Sequence, residues 1–346
     1  MTLPPESATP GNLVASSGPL NGLRVVDMSV TLPGPFCTQM MCRLGATVIQ
    51  LEPPAGDSLR WVAPASFTYL AAGKQSVVVD LKDSDDQALA RALLAEADIV
   101  VEGWRPGVAD RLGVGYEEVV ATNPGVVYCS LSGYGPTGDL AQRPGHDINY
   151  LAEAGALNLA RPDGLPVGDL AGATTAAFHV LAELMAAQRT GQGTHLELSI
   201  TGALSEWVNA LGGSAYRDFL GVYQAPHYGT FPTADGGTLI LGVAQEQHLW
   251  ANLIRALGRP EWCPLTHDQR TLRRDEITAY LTTKIAAMTT QALTDLFEPV
   301  DTCWSLARPP GSPHHFTGTL PAPPGAPPTI NQHGPTQRHR LGFPPR

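Results

Sequence analysis

The sequence has few charged residues, and fewer of them are positive than negative. Only 16% of its 346 residues are charged, and 22 Lys and Arg stand against 32 Asp and Glu, for a formal net charge of −10. A disordered chain is excluded, because hydrophobic residues make up 43% of the sequence and suffice for a buried core. A nucleic-acid partner is not expected, because such proteins present a basic face.

The cysteines are few, odd in number and unpaired in the sequence. Five are present and none forms a Cys-x-x-Cys pair, which favours reduced thiols, a cytoplasmic location and no metal site. No apolar run reaches the length of a membrane-spanning helix, and the first residues lack the basic and apolar regions of a signal peptide. We therefore expect no membrane partner.

Short apolar strands alternate with helical patterns in the first part of the chain. This alternation predicts an α/β fold with a parallel sheet that helices cover on both faces. The predicted strands are 23–28, 47–52, 77–81, 98–102, 126–131 and 194–200. The predicted helices are 35–44, 86–95 and 170–189, the last of which ends at Gly191.

Changes of composition divide the chain into segments. Residues 1–18 are rich in Pro, Ser and Gly and predict a disordered arm. A large domain over 19–205 is followed by a crossing linker, 206–224, and by a smaller domain over 225–319. The tail is crowded with Pro, Gly and His and is expected to be flexible, with the alternative that residues 320–346 return to the large domain.

The smaller domain begins with a predicted hairpin. Residues 232–237, Pro-Thr-Ala-Asp-Gly-Gly, predict a turn between strands at 228–231 and 239–243. Helices are predicted at 246–257 and 275–298. A hairpin followed by helices indicates an α+β class.

A histidine and a carboxylate stand side by side in the segment 145–150, Gly-His-Asp-Ile-Asn-Tyr. The segment follows loop residues and is expected to lie in an apolar setting. Imidazole ionises near neutral pH, so His146 is a candidate acid or base, with Asp147 beside it. An isolated histidine is more often structural than catalytic, and that alternative stays open on these residues alone.

A second carboxylate, Asp169, stands at the start of the long predicted helix. It is a candidate helix cap and equally a candidate catalytic group, and the two roles are compatible. Unpaired backbone N–H groups at a helix start, here those of Asp169 and Leu170, are expected to hold an anionic oxygen. The small residues 171–173 would let a ligand approach that backbone closely.

Two loops follow predicted parallel strands, at the edge where such sheets bind ligands. The first contains Gly103, Trp104 and Arg105, and the second is the Gly-rich stretch 132–138. Arg105 is a candidate for pairing with a phosphate, although a loop arginine is usually only solvated. His195 lies on an alternating strand, where ordinary packing explains it better than chemistry.

Several motifs resemble the family III CoA-transferases, the CaiB/BaiF superfamily. The resemblance covers residues 19–260, with the motifs in the family's order. Within that family, the segment 145–150 resembles the α-methylacyl-CoA racemase branch, because the transferase branch generally lacks the histidine. The motifs are 20–27, 33–36, 44–49, 73–82, 102–107, 132–138 and 189–193.

The resemblance implies a large Rossmann-like domain, a smaller α+β domain and an interlaced homodimer with its site between the domains. In racemases, the residues matching His146 and Asp169 move an α-proton of an acyl thioester through an enolate. In transferases, the aspartate matching Asp169 carries the acyl group as an anhydride. A repurposed member acting on a carrier-bound or unusual thioester is a third alternative, and a binding-only paralogue is a fourth.

The resemblance also assigns supporting residues. Racemases have a glutamate in the small domain that supports the histidine, and this chain has Gln245 there with Glu246 next to it. No tightly bound cofactor is implied, because CoA enters as part of the substrate. The family usually has cations where this chain has Gln50 and Ala72, which predicts weak binding of CoA or use of an acyl-carrier thioester. The residues assigned to catalysis are His146, Asp169, Asp147, Gln245 and Glu246, and those assigned to CoA are Lys74, Arg105, Ala72, Gln50, Gly103 and Tyr150, with Arg43 and Arg60 as further phosphate partners.

Overall fold

The computed structural model describes residues 18–157, 164–215, 225–309, 321 and 324–345. The chain divides into two compact units, one of Met1–Val208 with Gly318–Arg346 and one of Asn209–Thr317. Most of the predicted arm 1–18 and the second half of the predicted linker, 216–224, lie outside the described residues.

Six strands of the large unit form one parallel sheet, as the alternation of strands and helices predicts. The sheet order is β3-β2-β1-β4-β5-β6, and every neighbouring pair is parallel. Strand β2 has the predicted bounds, whereas β3 begins two residues and ends three residues earlier than predicted. The strands are β1 Arg24–Asp27, β2 Thr47–Glu52, β3 Gln75–Val78, β4 Ile99–Glu102, β5 Val127–Ser132 and β6 Thr194–Ser199.

Helices cover both faces of this sheet, because successive side chains of each buried strand point to opposite faces. Val25 belongs to the core shared with α1 and α8, and Val26 belongs to the core shared with α4. The helices of this part are α1 Pro33–Arg43, α2 Leu59–Val62, α3 Pro64–Ala71, α4 Ser84–Ala95, α5 Val108–Arg111, α6 Tyr116–Val120, α7 Asp147–Glu153, α8 Val167–Thr190 and α9 Ile200–Ala210.

The long helix α8 packs its small residues closely against the rest of the large unit. A Cβ atom on Gly172 would come within 2.7 Å of Ile200 Cγ1, so only glycine fits there. The helix is also long and apolar enough to satisfy a simple criterion for a membrane span, as buried core helices often do, and 44% of its most apolar window is buried. Its close packing accounts for its composition.

The second unit contains a three-stranded antiparallel sheet, four α-helices and two short 3-10 helices, Gly213–Ala215 and Pro260–Trp262, among its described residues. Strands β7 Tyr228–Pro232 and β8 Thr238–Gly242 form the predicted hairpin, and β9 Trp304–Leu306 adds to β8. The prediction of a single helix over 275–298 is wrong. The chain forms two, because Thr289 caps a new helix by accepting a hydrogen bond from the Ala292 N–H. The helices are α10 Gln247–Ala256, α11 His267–Leu272, α12 Arg274–Ala286 and α13 Thr290–Phe297.

The last described segment, 324–345, returns to the sheet of the large unit. Its helix α14, Gly334–Arg340, lies beside β3, where the Asn331 side chain accepts a hydrogen bond from the Val78 N–H at 2.9 Å. The Arg338 guanidinium forms a buried ion pair with Asp86. The expectation of a flexible tail is therefore wrong for this segment. His314 and His315, which belong to the same predicted flexible tail, lie outside the described residues.

Candidate active site

A cavity of about 380 Å³ opens at the carboxyl ends of β4 and β5. Both loops singled out in the sequence reach it, because Gly103 and Arg105 follow β4 while Gly133 and Tyr134 follow β5. The segment that begins α7 completes the lining. The other residues that line the cavity include Arg143, Gly145, His146, Asn149 and Tyr150.

His146 stands at the entry to α7, with its side chain on the cavity wall. Its backbone N–H donates to the Asn149 side chain at 3.1 Å, which fixes the start of the helix. The residue is exposed, so the expectation of an apolar setting is wrong. The surrounding loop is rich in polar and glycine residues and leaves the imidazole open to a ligand.

Asp147 joins the start of α7 to the start of α8. One of its carboxylate oxygens, Oδ1, accepts a hydrogen bond from the Asp169 backbone N–H at 3.0 Å. The Leu170 N–H donates to the Pro166 carbonyl at 3.1 Å. Neither of the two N–H groups predicted to hold an anionic oxygen is therefore free, and that prediction is wrong.

Asp169 lies in the first turn of α8, as predicted, but it does not cap the helix. The cap position is Pro166, and no side chain caps this helix end. The pKa of the Asp169 carboxyl is raised to about 6. Burial is the largest cause, the Asp147 carboxylate adds to the rise, and His146 opposes it. A carboxyl group with such a pKa exchanges protons near neutral pH, which suits an acid or base catalyst.

Tyr150 holds the loop before His146 in place. Its hydroxyl donates to the Gly145 carbonyl at 2.6 Å, and its ring meets that of Tyr134 edge-on at 5.2 Å. Burial raises the pKa of the Tyr150 phenol to about 12, and the nearby Asp169 charge contributes. A Cβ atom on Gly145 would lie 2.6 Å from the Tyr134 hydroxyl, so the loop needs glycine there.

Three residues assigned to CoA do not reach this cavity. The ammonium group of Lys74 is buried, and it donates to Asp27 at 3.1 Å, to the Pro35 carbonyl at 2.9 Å and to Thr38 at 2.7 Å. Gln50 and Ala72 are buried as well. The assignments of Lys74, Gln50 and Ala72 to a phosphate-binding surface are corrected, because none of them offers an exposed group.

The two further phosphate candidates are engaged within the protein. Arg60 forms a bidentate ion pair with Glu52, whose oxygens lie 2.6 and 2.7 Å from its nitrogens, and it also donates to the Pro328 carbonyl at 3.0 Å. Arg43 donates to the Tyr69 hydroxyl at 2.7 Å and to the Pro321 carbonyl. Of the cations assigned to CoA, Arg105 is the one that lines the cavity.

Gln245 and Glu246 belong to the second unit, at the start of α10, and both are exposed. The Glu246 carboxylate accepts a hydrogen bond from the Ala244 N–H at 2.9 Å. Hydrogen bonds from its own backbone N–H and from that of Ala244 lower the pKa of the Glu246 carboxyl. Their assignment to the catalytic group stays a prediction.

His195 packs in the way that the strand pattern favours. Its ring stacks on Tyr116 at 4.7 Å, and its Nε2 lies 3.0 Å from the Ser130 hydroxyl. Arg143 and Asn149 also line the cavity, although neither residue stands out in the sequence as a candidate. Their closeness to His146 in the chain is the signal that would have found them.

Among the described residues, no group of three or more His, Cys, Asp or Glu side chains is arranged to hold a metal ion.

The profile of one protein family, CoA-transferase family III, matches residues 20–317. The chain belongs to this family. It is 35% identical to an acetyl-CoA:oxalate CoA-transferase of Acetobacter aceti, over 70% of this chain and 68% of that protein. It is 31% identical to an alpha-methylacyl-CoA racemase of Homo sapiens, over 69% of this chain and 65% of that protein.

Solved structures show the same fold. A CAIB/BAIF family protein from Brucella suis superposes with a TM-score of 0.80 at 26% identity, over 94% of this chain and 100% of that one. The family resemblance of the motifs is thereby confirmed. The fold class of a parallel sheet with helices and a smaller antiparallel sheet is confirmed as well.

Proposed function

We propose that this chain moves a proton between the two faces of the carbon next to an acyl-thioester carbonyl, as a racemase or epimerase. The observation that carries the proposal is the Asp169 carboxyl beside His146. Burial raises the pKa of this carboxyl to about 6, and the His146 charge opposes that rise. A two-base reaction requires such a carboxyl group together with a second acid–base side chain, here the imidazole of His146. The similarity to a human alpha-methylacyl-CoA racemase supports the same reaction.

The reaction breaks and reforms one C–H bond. One base, His146 or Asp169 according to the enantiomer, takes the α-proton, and the electron pair of the C–H bond moves into the carbonyl to give an enolate. The other group returns a proton to the opposite face. Because the Asp169 and Leu170 N–H groups are occupied, the donors left to stabilise the enolate oxygen are cavity side chains such as Arg105 and Asn149.

The thioester handle is proposed to be CoA, carried as part of the substrate. The names of the two relatives described above each include a CoA thioester, which supports this choice. An acyl-carrier thioester stays the alternative, because Lys74, Gln50 and Ala72 are buried and offer nothing to a phosphate.

Solvent deuterium tests the reaction directly. A 2-methylacyl-CoA incubated with the protein in deuterium oxide should gain deuterium at the α-carbon, and a single enantiomer should racemise. Asp169→Asn should slow racemisation by about 10²–10⁴-fold, the usual contribution of an acid–base group. Absence of deuterium with a folded protein would reject enolate chemistry.

A second candidate is CoA transfer with Asp169 as nucleophile. The similarity to the acetyl-CoA:oxalate CoA-transferase favours it, and the Asp169 side chain is not engaged as a helix cap. In that reaction the carboxylate attacks the thioester carbonyl, CoA leaves as a thiolate, and an acyl anhydride forms on the enzyme. Transfer of CoA from an acyl-CoA to a free acid, without deuterium uptake, would select this candidate.

The assembly is proposed to be a homodimer, as the family resemblance implies. Helix α8 exposes Phe178 and Met185 seven residues apart, and the nearby α9 exposes Trp207, so large apolar side chains face outward. Sedimentation at micromolar concentration should give a dimer, and Phe178→Asp should weaken it. A stable monomer of the unaltered chain would reject the proposal.

A further inference from the structure

Arg270, in helix α11 of the second unit, is a completely buried cation. Its Nη1 donates a hydrogen bond to His227 Nε2 at 2.9 Å, and the centre of the Trp250 ring lies 5.1 Å from its Cζ. Its other two nitrogens, Nε and Nη2, are buried and have no hydrogen-bond partner among the described residues. A buried charge with unsatisfied donors is costly, so this guanidinium indicates an acceptor that is not part of the described chain.

The two unsatisfied nitrogens form one edge of the guanidinium, the Nε–Nη2 edge, whose parallel N–H bonds match the two oxygens of a carboxylate. Two other arginines of this chain use the same edge in that way. Arg60 donates through it to Glu52 at 2.7 and 2.6 Å. Arg273 donates through it to Glu276, with both distances 2.8 Å. Arg270 is more deeply buried than either, yet its edge holds no carboxylate of the described residues.

His227 adds a third donor without an acceptor. A guanidinium only donates, so His227 Nε2 accepts from Arg270, and the neutral ring carries its proton on Nδ1. Burial, followed by the Arg270 charge, lowers the pKa of His227 to about 3, which keeps the ring neutral. The Ala244 carbonyl lies 3.3 Å from the same Nε2 and receives no proton from it in this tautomer. The Nδ1 atom is buried and has no partner in the part of the chain that the structure describes.

Glu246 is the carboxylate whose charge acts on Arg270. Burial lowers the pKa of the Arg270 guanidinium to about 10 and Glu246 opposes the fall, so the group stays cationic at neutral pH. The Glu246 side chain is exposed at the start of α10, where it accepts the Ala244 N–H at 2.9 Å. It does not occupy the Nε–Nη2 edge, which is therefore left for an external acceptor.

We propose that Arg270 binds a small planar oxyanion, such as a monocarboxylate, through its Nε–Nη2 edge. The ligand is planar because both donors lie in the plane of the guanidinium. It is small because Arg270 and Trp250 are completely buried, so a local opening of the second unit has to admit it. Every residue of this site belongs to the second unit, and the proposal does not depend on the proposed function.

Ligand-observed NMR with formate as the probe tests the site. Saturation should transfer from the unaltered chain to the formate proton. Nitrate, which has the same planar shape, should displace formate at a lower concentration than chloride does at matched ionic strength. Arg270→Lys should weaken formate binding by at least about tenfold, because lysine keeps the charge but lacks the pair of parallel donors.

Arg273→Lys is the matched control, because it makes the same change at an arginine whose Nε–Nη2 edge is already occupied by Glu276. This variant should bind formate as the unaltered chain does. A loss confined to Arg270→Lys supports the proposal. Absence of saturation transfer to formate in the unaltered chain, or equal binding by the two variants, overturns it.

A crystal structure of the unaltered chain grown in formate is a second measurement, which needs no variant to fold. Planar density within hydrogen-bond distance of Arg270 Nε and Nη2 supports the proposal. An empty edge overturns it, and so does the Glu246 carboxylate on that edge, since the counter-charge would then be the protein's own. None of these results bears on the proposed reaction, because no turnover is measured.

Discussion

Two polar clusters of the large unit, one closed and one open, contain charged groups that the sequence singled out. In the closed cluster Lys74 is buried, and Asp27, Thr38 and the Pro35 carbonyl accept its hydrogen bonds. In the open cluster, the Asp147 carboxylate accepts a hydrogen bond from the Asp169 backbone N–H, and the charges of Asp147 and of His146, which lines the cavity, act on the Asp169 carboxyl.

The difference lies in how charge is compensated. Lys74 and Asp27 are opposite charges in contact, so each offsets the burial cost of the other. Burial, followed by the like charge of the nearby Asp147, raises the pKa of the Asp169 carboxyl to about 6. A cluster of paired opposite charges stabilises the fold. A carboxyl group without such a partner keeps a shifted pKa, which suits acid–base catalysis.

The largest stability effect should come from breaking the closed cluster. Lys74→Met leaves Asp27 buried without its cation and should lower the free energy of unfolding by about 3–5 kcal/mol. Urea denaturation measures the change. Lys82→Met, at an exposed position, is the matched control and should change stability by less than about 0.5 kcal/mol. Similar small effects of both would show that the closed cluster is not structural.

A smaller effect, of opposite sign, is expected at Asp169. Its folded pKa, about 6, exceeds the ordinary value of 3.8, so the folded state binds a proton more tightly than the unfolded state. The unaltered chain should therefore lose stability as the pH rises from about 4 to about 6, by about 1–3 kcal/mol, and Asp169→Asn should not. Relative to the parent, the variant should be more stable above that window.

The pH dependence of unfolding by urea measures this effect. Asp139→Asn, which removes a carboxylate at an exposed position, is the control. If Asp169→Asn and its parent lose stability equally between these pH values, the carboxyl is not strained in the folded state.

The smallest effect is expected from Asp147→Asn. The amide keeps an oxygen that can accept the Asp169 N–H, but it removes the negative charge that raises the pKa of Asp169. The pKa of Asp169 should therefore fall below about 6, and the acidic limb of the pH–rate profile should move to lower pH. An unchanged or upward shift would mean that the neighbouring carboxylate does not tune Asp169.

The sheet could be predicted because its strands are buried on both faces. Continuous apolar runs such as Ile99, Val100 and Val101 of β4 identify such strands without knowledge of the partner. The break between α12 and α13 could not be predicted in this way, since Ile285 and Leu293 are both buried and keep a helical spacing across it. Local capping by Thr289 decided the outcome.

The candidate site could be predicted only in part, for a related reason. His146 and Asp169 stand out through their motifs, but sequence gives no measure of which charges are compensated. Lys74 suggests a ligand in the sequence, but Asp27, 47 residues earlier, accepts one of its hydrogen bonds, so a long-range contact decides its role. Arg143 differs, because its place three residues before His146 is a local signal for its position on the cavity.

In the proposed reaction, His146 and Asp169 act on opposite faces of one carbon. Deuterium exchange of each pure enantiomer of a 2-methylacyl-CoA, followed by NMR in His146→Ala and in Asp169→Asn, tests it most directly. Each variant should stop racemising yet still exchange one enantiomer, and the two variants should retain opposite enantiomers. Equal, mild losses for both enantiomers in either folded variant would rule out this two-base reaction.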